Sequence, residues 1–406
     1  MKRSLSFILL LCLPGAIICA QKHFSVVVSN PLTTARTDQP VVISLAGHAD
    51  VRSALVTCNG QEVPCQLDDL DEDDCFDELC FLADLEPKER KTYAVELFTE
   101  GIPRSYPARV YAEMLMRNDK MKQKNKHDNY VASLSVRGDC ANSYNLLHHH
   151  GVSFESELNG IRIYFDKRQT PDLYGKRHRR LELQATQFYT SDEQKAQGYG
   201  DDVLWVGNTF GLGALRGWNG QAPTMVEPVK TRTQRVVAYG PLRTIVEIED
   251  RGWVVDQRLP PLNMTLRYTQ YAGHRDTDVD IFFNRDAAAY RFATGIINVK
   301  NSVEFSDHRG LRACWGTDYP STDTLKWKPE TVGLAILIPQ RHIVSEKHAN
   351  TDNYAFVVGT DNRHMSYKIC YCSANEDFGF VSSTEWFEWL KLWRHEVEHP
   401  AVWMVK

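Results

Sequence analysis

Apolar and polar residues alternate in short runs along most of this chain, the period-2 pattern of half-buried β-strands. Phe24-Ser-Val-Val-Val-Ser, Val41-Val-Ile-Ser-Leu, Thr92-Tyr-Ala-Val-Glu-Leu-Phe and Val236-Val-Ala-Tyr are β-branched or aromatic, and Gly, Pro, Asn or Asp bound them. Further strands are predicted near 161–165, 244–248, 264–270, 279–283, 332–338, 354–358 and 365–371. Asn59-Gly60, flanked by Leu55-Val-Thr and Gln61-Glu-Val, predicts a tight hairpin with a primed turn. One segment departs from period 2. From Glu385, the residues Trp386, Trp389, Leu390, Trp393 and Val397 recur at helical spacing, with Ser382 and Glu385 placed as a capping box and Pro400 as a stop. A helix that docks one apolar stripe on a sheet accounts for this pattern. Gly101, Pro103 and Pro107 interrupt the strands between Thr99 and Tyr111, and a Lys- and Asn-rich stretch follows. The expected architecture is therefore all-β: a small N-terminal β-sandwich over 21–105, a much larger β domain over 106–406, and a C-terminal amphipathic helix. No repeat of solenoid or propeller period is visible.

The first twenty residues fall outside that scheme. Lys2 and Arg3 precede an apolar stretch from Leu5 to Ile18, and Ala20 offers a small residue for cleavage. This is the pattern of a secretory signal peptide, too short to span a bilayer, and neither Cys12 nor Cys19 has the context of a lipoprotein signal. A secreted or periplasmic protein without a membrane span is expected. Export makes disulfides permissible among the remaining Cys58, Cys65, Cys75, Cys80, Cys140, Cys314, Cys370 and Cys372. Disulfides or buried thiols are favoured over zinc, for which no ligand spacing is present. The 406 residues are 43% hydrophobic and 24% charged with a net charge of −5, an ordinary globular composition without the basic excess of a nucleic-acid binder. The acidic loop 68–78 leaves a structural calcium open as a cofactor, although it lacks the glycine and terminal glutamate of an EF-hand loop. A solvated acidic turn is the simpler reading, and no metal site is assigned.

Chemistry concentrates in three stretches. In the strand Ile161-Arg-Ile-Tyr-Phe-Asp-Lys-Arg, Arg162, Tyr164, Asp166 and Arg168 share one face, opposite Ile161, Ile163 and Phe165. Such a row suits the gripping side of a sheet that holds a polar ligand, or else an ordinary ion-paired surface. Just before it lie His148, His149 and His150, candidate acids or bases near neutral pH. Just after it, a turn is expected to present Asp172, Tyr174 and Lys176. The glycines around Asp202 and Trp205 lack a phosphate-loop context and suggest close backbone approach. Trp205 is a candidate sugar-stacking platform, though a core role is commoner for any one Trp. Near 267–280, His274 and Arg275 sit in a turn between strands bearing Arg267, Asp276, Asp278 and Asp280.

His149-His-Gly, Glu155-Ser-Glu, Ile161 through Lys176, Gly200-Asp-Asp-Val-Leu, Tyr239-Gly-Pro-Leu-Arg-Thr and Tyr271-Ala-Gly-His-Arg together resemble domain-of-unknown-function family 4861, exported bacterial proteins encoded among glycan and pectin degradation genes. The resemblance implies a galactose-mutarotase-like β-supersandwich for the large domain and a carbohydrate-active role. The preferred expectation is lyase-type elimination on a uronate-containing glycan. A cation must neutralise the carboxylate, a base must take the C5 proton, and an acid must protonate the leaving oxygen. His149, His150 or His274 is expected as base and Tyr164 or Tyr174 as acid. Arg162, Arg168, Asp172, Lys176, Asp202, Trp205, Arg243 and Arg275 are expected to bind substrate. The alternatives are a glycoside hydrolase using paired carboxylates and a non-catalytic glycan-binding protein.

Overall fold

The computed structural model describes residues 21–117 and 129–406; the expected signal peptide, with its cleavage point near Ala20, and the Lys- and Asn-rich stretch 118–128 lie outside them. The N-terminal unit is a sandwich of antiparallel sheets. One is five-stranded, in the order Val402–Val405, Gln21–Ser29, Arg90–Phe98, Ser53–Cys58, Gln61–Val63; the other is three-stranded, Arg36–Ser44, Glu78–Leu85, Cys65–Asp68. Alternation places Val26, Val28, Val56, Phe81, Val95 and Leu97 between them. Asn59 and Gly60 take φ of 52° and 77°, and Cys58 pairs with Gln61 across the predicted hairpin. The final strand comes from the far end of the chain: Val28 pairs with Trp403 and Val26 with Val405. Hydrogen bonding to an otherwise open sheet edge draws these C-terminal residues out of the 106–406 segment and into the first sandwich.

The larger unit is the expected supersandwich. Its nine-stranded antiparallel sheet runs Val303–Ser306, Leu311–Asp318, Glu330–Leu337, His364–Ser373, Asp276–Phe283, Leu262–Tyr271, Arg243–Trp253, Thr231–Tyr239, Ser133–Arg137. Two five-stranded sheets cover one face of it. The first runs Asp201–Asp202, Pro171–Gly175, Gly160–Tyr164, Gly151–Ser156, Val110–Glu113, and the second runs Pro223–Thr224, Arg216–Trp218, Phe292–Ile297, Asn353–Val358, Ile343–Glu346. Phe154, Ile161, Ile163, Leu173, Leu266 and Ile281 are among the side chains buried between the layers. On the other face of the large sheet, the helix Ser383–Glu398 presses Trp386, Leu390 and Trp393 onto Leu311, Ala335, Cys370 and Cys372. Ser382 caps the helix by accepting from the Glu385 N–H at 3.3 Å.

Charge pairs at the seam join the two units. Arg243 donates to Asp68 and Glu78 at 2.7 Å each, and Arg109 bridges Asp38 and Glu157. All eight cysteines among the described residues are free thiols, five of them buried. In the acidic loop, Asp69, Asp71 and Asp77 bring carboxylate oxygens within 4.8 Å of one another. The Asp69 carboxylate already accepts the backbone N–H groups of Asp71, Glu72, Asp73 and Asp74, which folds the loop as an Asx-type turn.

Candidate functional site

The site grows from the register of one five-stranded sheet. Glu113 stands opposite Ser153, Ser153 opposite Arg162, and Arg162 opposite Asp172, while Gly160 stands opposite Tyr174 and Tyr174 opposite Asp202. Because alternate side chains share a face, the face turned away from the core is a polar field of Glu113, Ser153, Glu155, Arg162, Tyr164, Asp172, Tyr174 and Asp202. Gly200 permits the last step of this register. A Cβ there would lie 1.9 Å from the Gly175 carbonyl oxygen, so a glycine lets Asp202 reach Arg162. The segment 170–176, expected as a turn, forms the fully buried strand Pro171–Gly175.

Arg162 is the centre. Its Nε and Nη2 donate to Asp172 Oδ2 at 2.9 and 2.6 Å, and Nη2 also donates to Asp202 at 2.9 Å. Tyr164 donates its hydroxyl to the same Asp172 oxygen at 2.6 Å. The guanidinium lies 4.2 Å from the Phe188 ring centroid. Arg168, one residue past the strand and a turn, is tied to Asp166 and has its guanidinium carbon 4.8 Å from both the Tyr144 and Tyr164 ring centroids. Burial, then the Asp172 charge, pushes the Tyr164 phenol far above its ordinary range, and the same two causes raise Asp202 well above the usual carboxylate value.

His150 forms the neighbouring wall. Its ring stacks on Tyr144, stands edge-on to Tyr164 and Tyr189, and places Nδ1 3.0 Å from the Tyr144 carbonyl oxygen. A carbonyl only accepts, so the proton sits on Nδ1 and Nε2 keeps its lone pair. Burial, reinforced by Arg162 and Arg168, pulls the imidazole down to about 4, so it is neutral across the physiological range. His150, Gln169, Gln187 and Phe188 all adopt left-handed φ between 46° and 67°. Four such non-glycine residues around one cluster mark a backbone held under strain by its surroundings.

The other expected site residues lie elsewhere. His149 turns away from His150 and is fully buried beneath the sheet's edge, with Nε2 3.2 Å from both Glu113 Oε1 and Ser153 Oγ. Tyr174 is buried against Phe188 and donates to the Gly200 carbonyl at 2.8 Å, and among the described residues it makes no ring contact with His150, as Tyr164 does. Lys176 is fully buried and donates to Glu155 and to the Ser156 and Arg180 carbonyls, a structural anchor out of reach of any ligand. His274 points to the seam between the units, with Asp276 on Nδ1 and the Asp38 carbonyl on Nε2. Arg275 pairs with buried Glu376, and Arg243 belongs to the seam. These three are drawn to buried carboxylates that are not partners of Arg162. Trp205, 51% exposed, lies on the loop whose Gly207 carbonyl faces Arg168 Nη1 at 3.5 Å. Tyr144, Tyr189 and Glu113 escaped sequence reasoning. They carry no motif and lie outside the strand row; loops folded over the sheet bring in Tyr144 and Tyr189, and strand pairing with Gly151–Ser156 brings in Glu113.

The fold and site define a protein of stacked antiparallel sheets that carries an arginine–carboxylate cluster walled by tyrosine and histidine rings. The chain belongs to the family described as Domain of unknown function (DUF4861), which matches residues 28–402. No curated protein matches it. Among solved structures it is similar to a protein in the glycosyl hydrolase family 38 from Enterococcus faecalis, with a TM-score of 0.50 and 9% identity. That likeness covers 95% of this chain and 47% of the other, so this chain spans about half the length of its structural neighbour. At such identity the likeness concerns fold alone.

Proposed function

We propose that this chain is an exported carbohydrate-active protein that cleaves a uronate-containing glycan by β-elimination. The observation that carries the reading is His150, a neutral imidazole whose Nε2 is left basic by the Nδ1 contact to Tyr144, edge-on to Tyr164 and stacked on the Tyr144 ring that Arg168 also approaches. Arg168 would take the uronate carboxylate, sharing its charge between substrate and Asp166, and so acidify the C5 proton. His150 Nε2 would remove that proton. The electron pair left at C5 forms the C4–C5 double bond as the bond from C4 to the glycosidic oxygen breaks. Tyr164, held as a phenol by its surroundings, would supply the proton to the departing oxygen. Arg162 and Asp172 position Tyr164 and do not themselves react.

A hydrolytic reading has one observation in its favour. Asp202, raised by burial and by Asp172, would be a protonated acid, with Asp166 as the available carboxylate. Incubation with a panel of acidic and neutral polysaccharides separates the readings. Elimination gives an ultraviolet-absorbing unsaturated product together with new reducing ends, and hydrolysis gives reducing ends alone. If glycans raise the melting temperature but no product appears over long incubation, both catalytic readings fail and a binding protein remains.

A further inference from the structure

A pocket of about 360 Å³ adjoins the loop that borders Arg168. Gly207 of that loop faces Arg168, while Asn208, Thr209 and Phe210 line the new pocket, and the Phe210 N–H donates to Asn353 Oδ1 at 2.8 Å. Buried Arg216 fixes the loop from below by donating to the Thr209 carbonyl and to Thr170 Oγ1. One loop thus borders the Arg168 cluster and walls this pocket. Trp205 stands on it, half exposed, its indole folded back over Gly207.

The pocket has the composition of a sugar site. Trp218 supplies an aromatic wall, and Lys347 holds its ammonium 5.5 Å from the Trp218 ring centroid. Among the described residues Lys347 has no carboxylate partner, and the side-chain amides of Asn208 and Gln221 have no protein partner either. Asp352 is the one carboxylate on the wall, and it accepts from Thr351 Oγ1 at 3.4 Å instead of pairing with Lys347. An aromatic face beside an exposed cation without a carboxylate partner and exposed amides free to bond a ligand fits a sugar ring bearing a carboxylate.

We infer that the Trp218–Lys347 pocket is a distal subsite for an acidic sugar, so that a bound glycan runs from the Arg168 cluster past Trp205 to Trp218. This rests on the glycan reading above and specifies it: the substrate is an acidic chain of several units.

The test uses the full-length protein with oligogalacturonates and oligomannuronates of two and six units, and a neutral cello-hexaose, each followed by tryptophan fluorescence and calorimetry. An acidic hexamer is expected to bind about tenfold more tightly than its dimer, and Trp218→Ala or Lys347→Ala to erase that gain while leaving dimer binding intact. The inference is overturned if neither acidic hexamer binds, if both variants bind the hexamer as the parent does, or if the neutral hexamer binds as well as the acidic ones. The two proposals fail separately. Trp218-dependent binding without any product leaves the subsite standing and removes the elimination. Elimination with unchanged KM for long chains in Trp218→Ala does the reverse.

Discussion

The Tyr144 ring lies on the His150 imidazole with centroids 3.8 Å apart and planes 6° from parallel, and the Tyr144 carbonyl oxygen is also the partner of His150 Nδ1. One residue therefore sets both the tautomer and the solvation of the histidine. Its backbone directs the proton to Nδ1, and its ring shields the neutral form from water, which favours that form over the charged one.

If His150 is the base, the acid limb of kcat/KM on a cleavable glycan falls near pH 4, because the imidazole is pulled down to about 4 and activity is lost only as pH drops through that value. Tyr144→Leu, which removes the stacked ring, is expected to move the limb towards pH 6.5. His150→Ala should lower kcat by about 10²–10⁴-fold. A pH–rate profile with its limb unmoved in Tyr144→Leu would detach the stack from the chemistry.

Arg162 is 5% exposed and serves two carboxylates and a tyrosine at once. Lysine keeps the charge but cannot span these partners with a planar fork, so the buried carboxyls of Asp172 and Asp202 would lose hydrogen-bond donors. Arg162→Lys is expected to cost about 3–5 kcal/mol in denaturant unfolding. A loss under about 1 kcal/mol would mean that water reaches the cluster.

Glu113 accepts the Tyr111 hydroxyl at 2.7 Å in a buried setting, and burial pushes its carboxyl up to about 8 from an ordinary 4.5. Between those two values the folded state holds a proton that the unfolded chain has released. Its contribution to stability is therefore complete below pH 4.5 and is lost as pH rises towards 8. Glu113→Gln keeps the acceptor and abolishes the titration. Thermal melts of parent and variant should diverge with rising pH, the variant gaining on the order of 2 kcal/mol by pH 8.

Trp386 is fully buried, against the Cys370 and Cys372 face of the large sheet. Trp386→Ala should destabilise the chain by about 3–5 kcal/mol. Ser382→Ala, which removes the helix cap, should cost about 1 kcal/mol. Limited proteolysis should then cut first near the helix, whose release also frees the last strand.

What the amino-acid pattern determined by itself was local. Alternation in Phe24–Ser29 and Met264–Gln270, the Asn59-Gly60 turn and the Trp386–Trp393 stripe each encode an element through the burial of neighbouring side chains, and each forms where it was expected. The shared face of Arg162 and Tyr164 was legible for the same reason. Only the tertiary structure decided which polar residues meet. Lys176 and Arg162 lie on equivalent faces of adjacent strands and the segment 182–200 covers both, yet Lys176 is sealed onto Glu155, whose carboxylate takes the N–H groups of Glu182 and Leu183, while Arg162 meets Asp172 and Asp202 beneath Phe188. His149 and His150 are chain neighbours with opposite fates, since a left-handed φ at His150 turns the two rings apart. Partnerships such as Arg243 with Asp68 and Val402–Val405 with Gln21–Ser29 join residues far apart in the chain. Short-range periodicity carries no record of such pairings, which depend on how whole sheets stack and on which buried charges must find a counter-charge.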